Sequence, residues 1–189
     1  MSPMINQHEI YQTSSTDEDF LPIVDENDVV VGRGRRRDVH SQKLRHRAVH
    51  IVVMNHAGQV LLQLRSRGKD SHPGWWDISV GGHVDVDEDY DQAATRELRE
   101  ELGIAAPLVC IARREAAPDS GWEFVRIYEC THDGEIPFHR GEIDAVRWVD
   151  VAELLARGHS TQRDDEWRVT GSGLLSFHAW ARGKERREP

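Results

Sequence analysis

Apolar and polar residues set out a succession of short strands with few helices between them. Leu21-Pro22-Ile23-Val24 and Val29-Val30-Val31-Gly32 flank the turn-forming Asp25-Glu26-Asn27-Asp28, which predicts a hairpin. His46 to Met54 (HRAVHIVVM) and Gln59 to Leu64 (QVLLQL) predict strands around the turn Asn55-His56-Ala57-Gly58. Trp75 to Val80 predicts a further short strand running into Gly81-Gly82, and Leu108 to Arg113, Glu123 to Cys130 and Ala145 to Val149 three more. Helical spacing appears at Ala94, Leu98 and Leu102, an apolar stripe at i, i+4 and i+8 that can pack on a sheet. Val151 to Arg157 and Leu174 to Lys184 also read as helices, the second turning Leu174, Leu175, Phe177 and Trp180 toward a core. No internal repeat interrupts this pattern, and the mixture of strands and few helices predicts an α/β sandwich.

The helix carrying the stripe has signals at both ends. Asp89 is placed to cap its N-terminus, with Gln92 three residues on, and Gly103 sits where a glycine ends a helix. Glu97, Glu100 and Glu101 fall at i, i+3 and i+4, on one helical face, where like charges repel by about a few tenths of a kcal/mol per pair. A solvated acidic face is one reading. The other is a site for a hard divalent cation such as Mg2+, with Mn2+ as a substitute, because such ions take oxygen ligands and keep water and phosphate in their shell. The glycine pair lets the preceding loop approach closely, and the Gly81 carbonyl could join the metal shell. Glu88 and Arg96 read as partners that hold the loop to the helix by charged hydrogen bonds.

The chain of 189 residues fits one domain, and its net charge of −9 argues against a general binder of nucleic acid or membrane surfaces. Residues 1–20 are polar and read as a flexible leader, with a single domain over 21–189. Arg33 to Arg37 is a basic run, read as a solvated loop or as a phosphate-facing segment. Cys110 and Cys130 lie in apolar, strand-like stretches and read as buried free thiols. No apolar run spans a bilayer and no secretory signal is seen, so a cytoplasmic protein is expected.

The segment Gly82 to Ile104, GHVDVDEDYDQAATRELREELGI, fits the pattern G-x5-E-x7-R-E-U-x-E-E-x-G-U, with U apolar, at every position. It is the signature of the Nudix hydrolases, and the chain resembles that family from about His46 to Asp150. The resemblance implies a Nudix-type α/β/α sandwich with a mixed central sheet. It also implies Mg2+-dependent hydrolysis of a diphosphate linked to some other group X, a small-molecule substrate, and a homodimer as a common assembly. On this reading Glu97, Glu100, Glu101 and Gly81 hold metal, Gly82, Glu88 and Arg96 support the box, and Glu97 or Glu142 accepts the proton of the attacking water.

A second resemblance is to isopentenyl-diphosphate isomerases and their Nudix relatives. It is carried by His46-Arg47-Ala48, by Arg65-Ser66-Arg67-Gly68-Lys69, and by Pro73-Gly74-Trp75-Trp76-Asp77-Ile78-Ser79-Val80-Gly81-Gly82-His83. It implies that Arg65 and Lys69 sit near the substrate diphosphate, and that His46, His83 and Glu123 form a second metal site, which Glu123 could instead share with the first; His40 does not match the register cleanly. Those isomerases carry a cysteine directly before the Gly-His pair, and Gly81 stands there instead. That departure and the intact box favour hydrolysis over isomerisation. A ligand-binding regulator without catalysis is the reading from another class, and the retained glutamates argue against it. Trp75, Trp76, Trp122 and Trp167 could stack on a base or fill core, and X itself, a nucleoside or a nucleotide-sugar-like group by default, is left open.

Overall fold

A computed structural model describes residues 19–156 and 168–187. Strand β3 (His46–Met54) is the axis of the molecule. It pairs in parallel with β8 (Glu123–Thr131) along its whole length, from His46 opposite Glu123 to Met54 opposite Thr131. On its other side it pairs antiparallel with β6 (Val80–His83). Strand β4 (Gln59–Arg65) follows the Asn55–Gly58 turn, where Gly58 takes a φ of 80°. It meets β3 only at Met54 opposite Val60 and then diverges. It carries β5 (Trp76–Asp77) on one side and β9 (Ile143–Asp150) on the other, both antiparallel. Strand β7 (Val109–Arg114) pairs with β8 to complete a seven-stranded mixed sheet. The hairpin of β1 (Phe20–Val24) and β2 (Val30–Arg35) forms a separate two-stranded sheet.

Side chains along β3 alternate between two cores, as strand geometry requires. Val49, Ile51 and Val53 face helix α2 (Tyr90–Leu102), whose Ala94, Leu98 and Leu102 are buried as their spacing predicts. Ala48 and Val52 face helix α4 (Gly171–Glu185), which contributes Phe177 and Trp180 to the second core. The result is the α/β/α sandwich with a mixed sheet expected from the sequence, with two short helices, α1 (Arg36–Ser41) and α3 (Val151–Ala156), at its margins.

Three local expectations are refined. The stretch Trp75 to Val80 is not one strand: Ile78 and Ser79 separate β5 from β6 and are buried. Ser79 Oγ accepts a hydrogen bond from the Val53 amide at 2.9 Å and donates one to the Leu61 carbonyl at 2.6 Å. A single hydroxyl thus bridges β3 and β4 where they part, a tertiary contact that no local pattern announces. The basic run is no loop, since Arg33 and Arg35 belong to β2 and Arg36 opens α1. Helix α4 begins before Leu174, at Gly171, because Thr170 caps it and accepts from the Gly173 amide at 3.1 Å. Phe20 lies in β1, whereas residues 1–18 of the expected leader, Arg157 and Trp167 lie outside the described residues. Both cysteines are free, Cys130 buried and Cys110 half-buried. Among the described residues no helix is long and apolar enough to cross a membrane.

Candidate functional site

The divergence of β3 and β4 opens a cleft of about 670 Å³, lined by Gly81, Gly82, His83, Glu97, Glu100, Glu101, Glu123 and Glu142 among others. One wall is the sequence motif made three-dimensional. Asp89 caps α2 by accepting from the Gln92 amide at 2.8 Å, and Gln92 returns a side-chain oxygen to the Asp89 amide at 2.9 Å. Gly103 ends the helix with φ of 64°. With its ends fixed, α2 presents Arg96 as a hub. Its Nε and Nη2 donate to both oxygens of Glu88 at 2.9 and 2.8 Å, and Nη2 also reaches the His83 carbonyl at 2.9 Å. Nη1 donates to Glu97 at 2.8 Å and to Glu100 at 3.2 Å. This planar fork joins Glu88 and the His83 carbonyl of β6 to the helix.

Gly82 is required by the same wall. A Cβ placed there would stand only 2.6 Å from Glu97 Cγ and closer still to its carboxyl group. Glu97 and Glu101 are buried, 6% and 7% exposed. Burial pushes the Glu97 carboxyl up to about 7, against the pull of Arg96. Burial and the charge of Glu97 push Glu101 up to about 8, although Lys69 and a 2.9 Å hydrogen bond from Gln63 Nε2 oppose the rise. Two buried carboxyls held above their ordinary range, with a third beside them, form an oxygen donor set whose charged state lacks a sufficient counter-charge from the chain. That is the condition a divalent cation relieves, so the residues present fit Mg2+ or Mn2+.

Lys69, Arg65 and Glu142 come to the cleft from the other half of the sheet. Lys69 forms an ion pair with Glu142, and burial lowers the Lys69 ammonium from its ordinary value. Glu142 is fixed through its backbone, whose carbonyl accepts from the Ser66 amide at 2.9 Å. Arg65 is turned back on its own loop, with Nε donating to the Ser71 carbonyl at 3.0 Å and Nη1 lying 3.4 Å from Asp77. Arg36, from the basic run, also lines the cleft, and so does Trp122. Trp76 packs against the α4-side core, and Trp75 makes an edge contact with His72.

The opposite wall brings His46, His83 and Glu123 together, as the second resemblance implies, and adds His40 from α1. One ligand atom from each lies within 4.8 Å of every other. His46 and Glu123 share a face because they are direct partners across β3 and β8, and Ala48 pairs with His83 on the neighbouring strand. His46 Nδ1 donates to the Leu44 carbonyl at 2.9 Å, which leaves Nε2 as the ligand atom. That Nε2 is buried with no hydrogen-bond partner among the described residues, 3.6 Å from Glu123. His83 Nε2 stands 3.4 Å from Glu123 and 3.2 Å from His40 Nε2. Burial lowers His83 and, with the charges of His83 and His46, lowers His40 to about 4, so both offer neutral nitrogens near pH 7. Burial alone would raise Glu123, but His46 and His83 hold it well below the usual carboxylate range. The orphaned His46 nitrogen and this donor set fit a transition metal better than Mg2+.

Sequence reasoning set His40 aside as out of register, and it missed Gln63, Asp77 and His50. The signal for His50 was present: His46, Ala48 and His50 alternate on β3 and must share its face. His40 sits on α1, a helix that the sequence reading did not predict.

Comparison with known proteins gives a consistent result. The NUDIX domain profile matches residues 44–168. A Nudix hydrolase of Streptomyces coelicolor is 48% identical over 175 residues, 88% of this chain and 92% of that protein. A Nudix hydrolase of Yersinia pestis is 36% identical over 140 residues, 74% of this chain and 77% of that protein. Among solved structures, DR0079 from Deinococcus radiodurans superposes with a TM-score of 0.70 at 28% identity, over 86% of this chain and 99% of its own. The NUDIX domain of Shewanella oneidensis NrtR, solved with ADP ribose, shares the fold at a TM-score of 0.56 and 19% identity, over 75% of this chain and 87% of its own. The box geometry, the profile match and these relatives together place the chain in the Nudix hydrolase family, enzymes that act on diphosphate bonds.

Proposed function

We propose that the protein is a divalent-metal-dependent hydrolase that cleaves the diphosphate linkage of a small nucleoside diphosphate–X compound by attack of water on phosphorus. The observation that carries this reading is the pair Glu97 and Glu101, buried side by side with carboxyls pushed up to about 7 and 8. Glu97, Glu100, Glu101 and the Gly81 carbonyl are the residues that would hold Mg2+ or Mn2+. A bound ion there supplies charge neutralisation at the phosphates and a more acidic water.

The chain's own groups do the rest. Arg96 keeps Glu97 and Glu100 oriented and ties the β6 loop to them. Lys69 offers the diphosphate a cation from a partly dry site, and Arg65 shapes the loop that carries it. Glu142 is the proton acceptor in this reading, because Glu97 is committed to Arg96 and packs on Gly82. Lys69 holds Glu142 in place until the water approaches. His40, His46, His83 and Glu123 form a second, nitrogen-rich metal site, which reaches the same cleft through His40, His83 and Glu123. Neither Cys110 nor Cys130 lines the cleft, so no thiol is at hand to move a proton at carbon, which favours hydrolysis over isomerisation. A cytoplasmic enzyme, a homodimer and a single domain following a leader complete the proposal.

The test is release of phosphate and nucleotide from nucleoside diphosphates, dinucleotides, nucleotide sugars and isoprenoid diphosphates, with Mg2+ and then with EDTA. Metal-dependent cleavage of one class is the expected result, together with no allylic isomer from isopentenyl diphosphate. Ligand binding without any cleavage would contradict it and favour a silent binding module.

A further inference from the structure

The cleft has a polar corner that hydrolysis of the diphosphate leaves unused. It lies on the α4 side of β3. His50 is 8% exposed and its Nδ1 stands 2.6 Å from Ser176 Oγ, on the second turn of α4. Ser176 is fully buried, and its Oγ also accepts from Arg114 Nη1 at 3.2 Å. A guanidinium only donates, so the serine keeps one hydroxyl proton to give. Among the described residues, His50 Nδ1 is the acceptor that stands ready for it. The relay Arg114 to Ser176 to His50 therefore sets the histidine tautomer: Nδ1 accepts, and Nε2 carries the hydrogen. That Nε2 lies along Gly81, 3.4 Å from where a Cβ would be, and has no partner among the described residues.

Two further groups line the cleft with His50. Ser172 lies four residues before Ser176, hence on the same face of α4 and one turn nearer the cleft. Its Oγ is buried without a hydrogen-bond partner among the described residues, and both Ser172 and His50 line the cleft. Asp77 also lines it. The Asp77 carboxylate is held by Thr170 Oγ1 at 2.6 Å, the Ile78 amide at 2.9 Å and Arg65 at 3.4 Å.

We propose that His50, Ser172 and Asp77 form a subsite for a hydroxyl-bearing group X, a sugar or similar polyol, separate from the residues that meet the diphosphate. His50 offers a neutral donor, Ser172 a hydroxyl, and Asp77 an acceptor. A hydroxyl on X can take the first and give to the last, whereas a phosphate in this corner would face the Asp77 charge. An apolar X would leave the His50 and Ser172 donors unpaired on binding. Ser176 and Arg114 are positioning residues, acting only through the His50 ring. This inference rests on the hydrolase reading above, and the test separates the two.

The tautomer is read first, without substrate, by long-range 15N NMR of the histidine rings, with His50 assigned by its loss in His50→Gln. A pyridine-type Nδ1 in the native protein and a mixed tautomer in Ser176→Ala are expected; a protonated Nδ1 in the native protein overturns the relay. Kinetics with Mg2+ then compare ADP-ribose, which has a polyol X, with ADP. His50→Phe should raise KM for ADP-ribose about tenfold while kcat and the KM for ADP stay within about threefold, and His50→Gln should restore most of the loss. Ser172→Ala, a smaller change, should raise the same KM by about threefold. Equal effects on both compounds overturn the subsite while leaving the hydrolase intact. If neither compound is cleaved, the hydrolase reading fails for them and the subsite is judged by binding. ADP-ribose must then raise the melting temperature more than ADP does, in the native protein and not in His50→Phe, and equal shifts overturn it.

Discussion

The two walls of the cleft solve the problem of buried charge in opposite ways. The α2 wall gathers three glutamates around one arginine, and burial holds Glu97 and Glu101 at about 7 and 8, above the ordinary 4.5. The β3–β6–β8 wall gathers three histidines around one glutamate, and Glu123 falls well below its ordinary range while His40 drops to about 4. The first wall holds more carboxylates than its one arginine can pair, and the second sets its one carboxylate among imidazole nitrogens. On the proposed reading, a hard cation would sit with the glutamates and a softer one with the histidine cluster. It also explains why Arg96 is so heavily used: five hydrogen bonds from one guanidinium keep a repelling cluster in register.

The largest expected effect breaks the α2 wall alone. Glu101→Gln removes one metal charge with little change in shape and should lower kcat/KM by about a thousandfold, since a metal's charge stabilisation amounts to several kcal/mol. Folding should survive, because the variant deletes a buried carboxyl whose ionisation burial disfavours. His46→Ala on the other wall should leave Mg2+-dependent turnover within about tenfold and remove uptake of the second, softer metal, as measured by metal analysis after dialysis. If the two variants exchange phenotypes, the assignment of the walls is reversed.

Next in size is Gly82→Ala. Its methyl group would displace the Glu97 carboxylate, and overpacking of this kind costs about 1–3 kcal/mol, read as a lower denaturation midpoint together with lost activity. Unchanged activity would show that Glu97 need not lie over the β6 strand.

The pH dependence of stability sharpens the comparison further. Glu97 and Glu101 have raised values in the folded protein, so the folded state binds their protons more tightly than the unfolded chain. Their contribution is fully present below about 4.5 and is lost as pH rises through about 7 and 8. Metal-free protein should therefore melt at lower temperature at pH 9 than at pH 6, and Mg2+ should restore more stability at the higher pH. A melting temperature in EDTA that does not fall across that range would contradict the charge shortage on the α2 wall. The smallest expected effect is on the shared rim: Lys69→Met should raise KM for the diphosphate by about threefold to tenfold in steady-state assays, with Glu142 released from its partner. An unchanged KM would remove Lys69 from the substrate site.

What was legible in the sequence follows the same division. The α2 wall is local: cap, glutamates, arginine and closing glycine lie within one helix and its entry loop, so spacing alone placed every group. The sandwich was also readable, because β3 is an apolar run, buried throughout from Ala48 to Val53, and α2 carries an apolar stripe. The histidine wall is assembled from α1, β3, β6 and β8, brought together by strand pairing. No spacing along the chain encodes that pairing, and only the second resemblance pointed to three of its four members. The split between β5 and β6 escaped because Ser79 is fixed by hydrogen bonds to two distant strands. The start of α4 escaped because Gly171 and Gly173 are poor helix formers, and Thr170 together with Asp77 secures that end.

The central claim is that the glutamate wall awaits a cation, and proton release reports on it directly. Calorimetric titration of Mg2+ into metal-free protein at pH 7, repeated in buffers of different ionisation enthalpy, counts the protons displaced. About one proton or more should leave per bound ion in the native protein, from Glu101 and Glu97, with clearly fewer in Glu101→Gln. Binding with no proton release, or with the same release in that variant, would contradict the account.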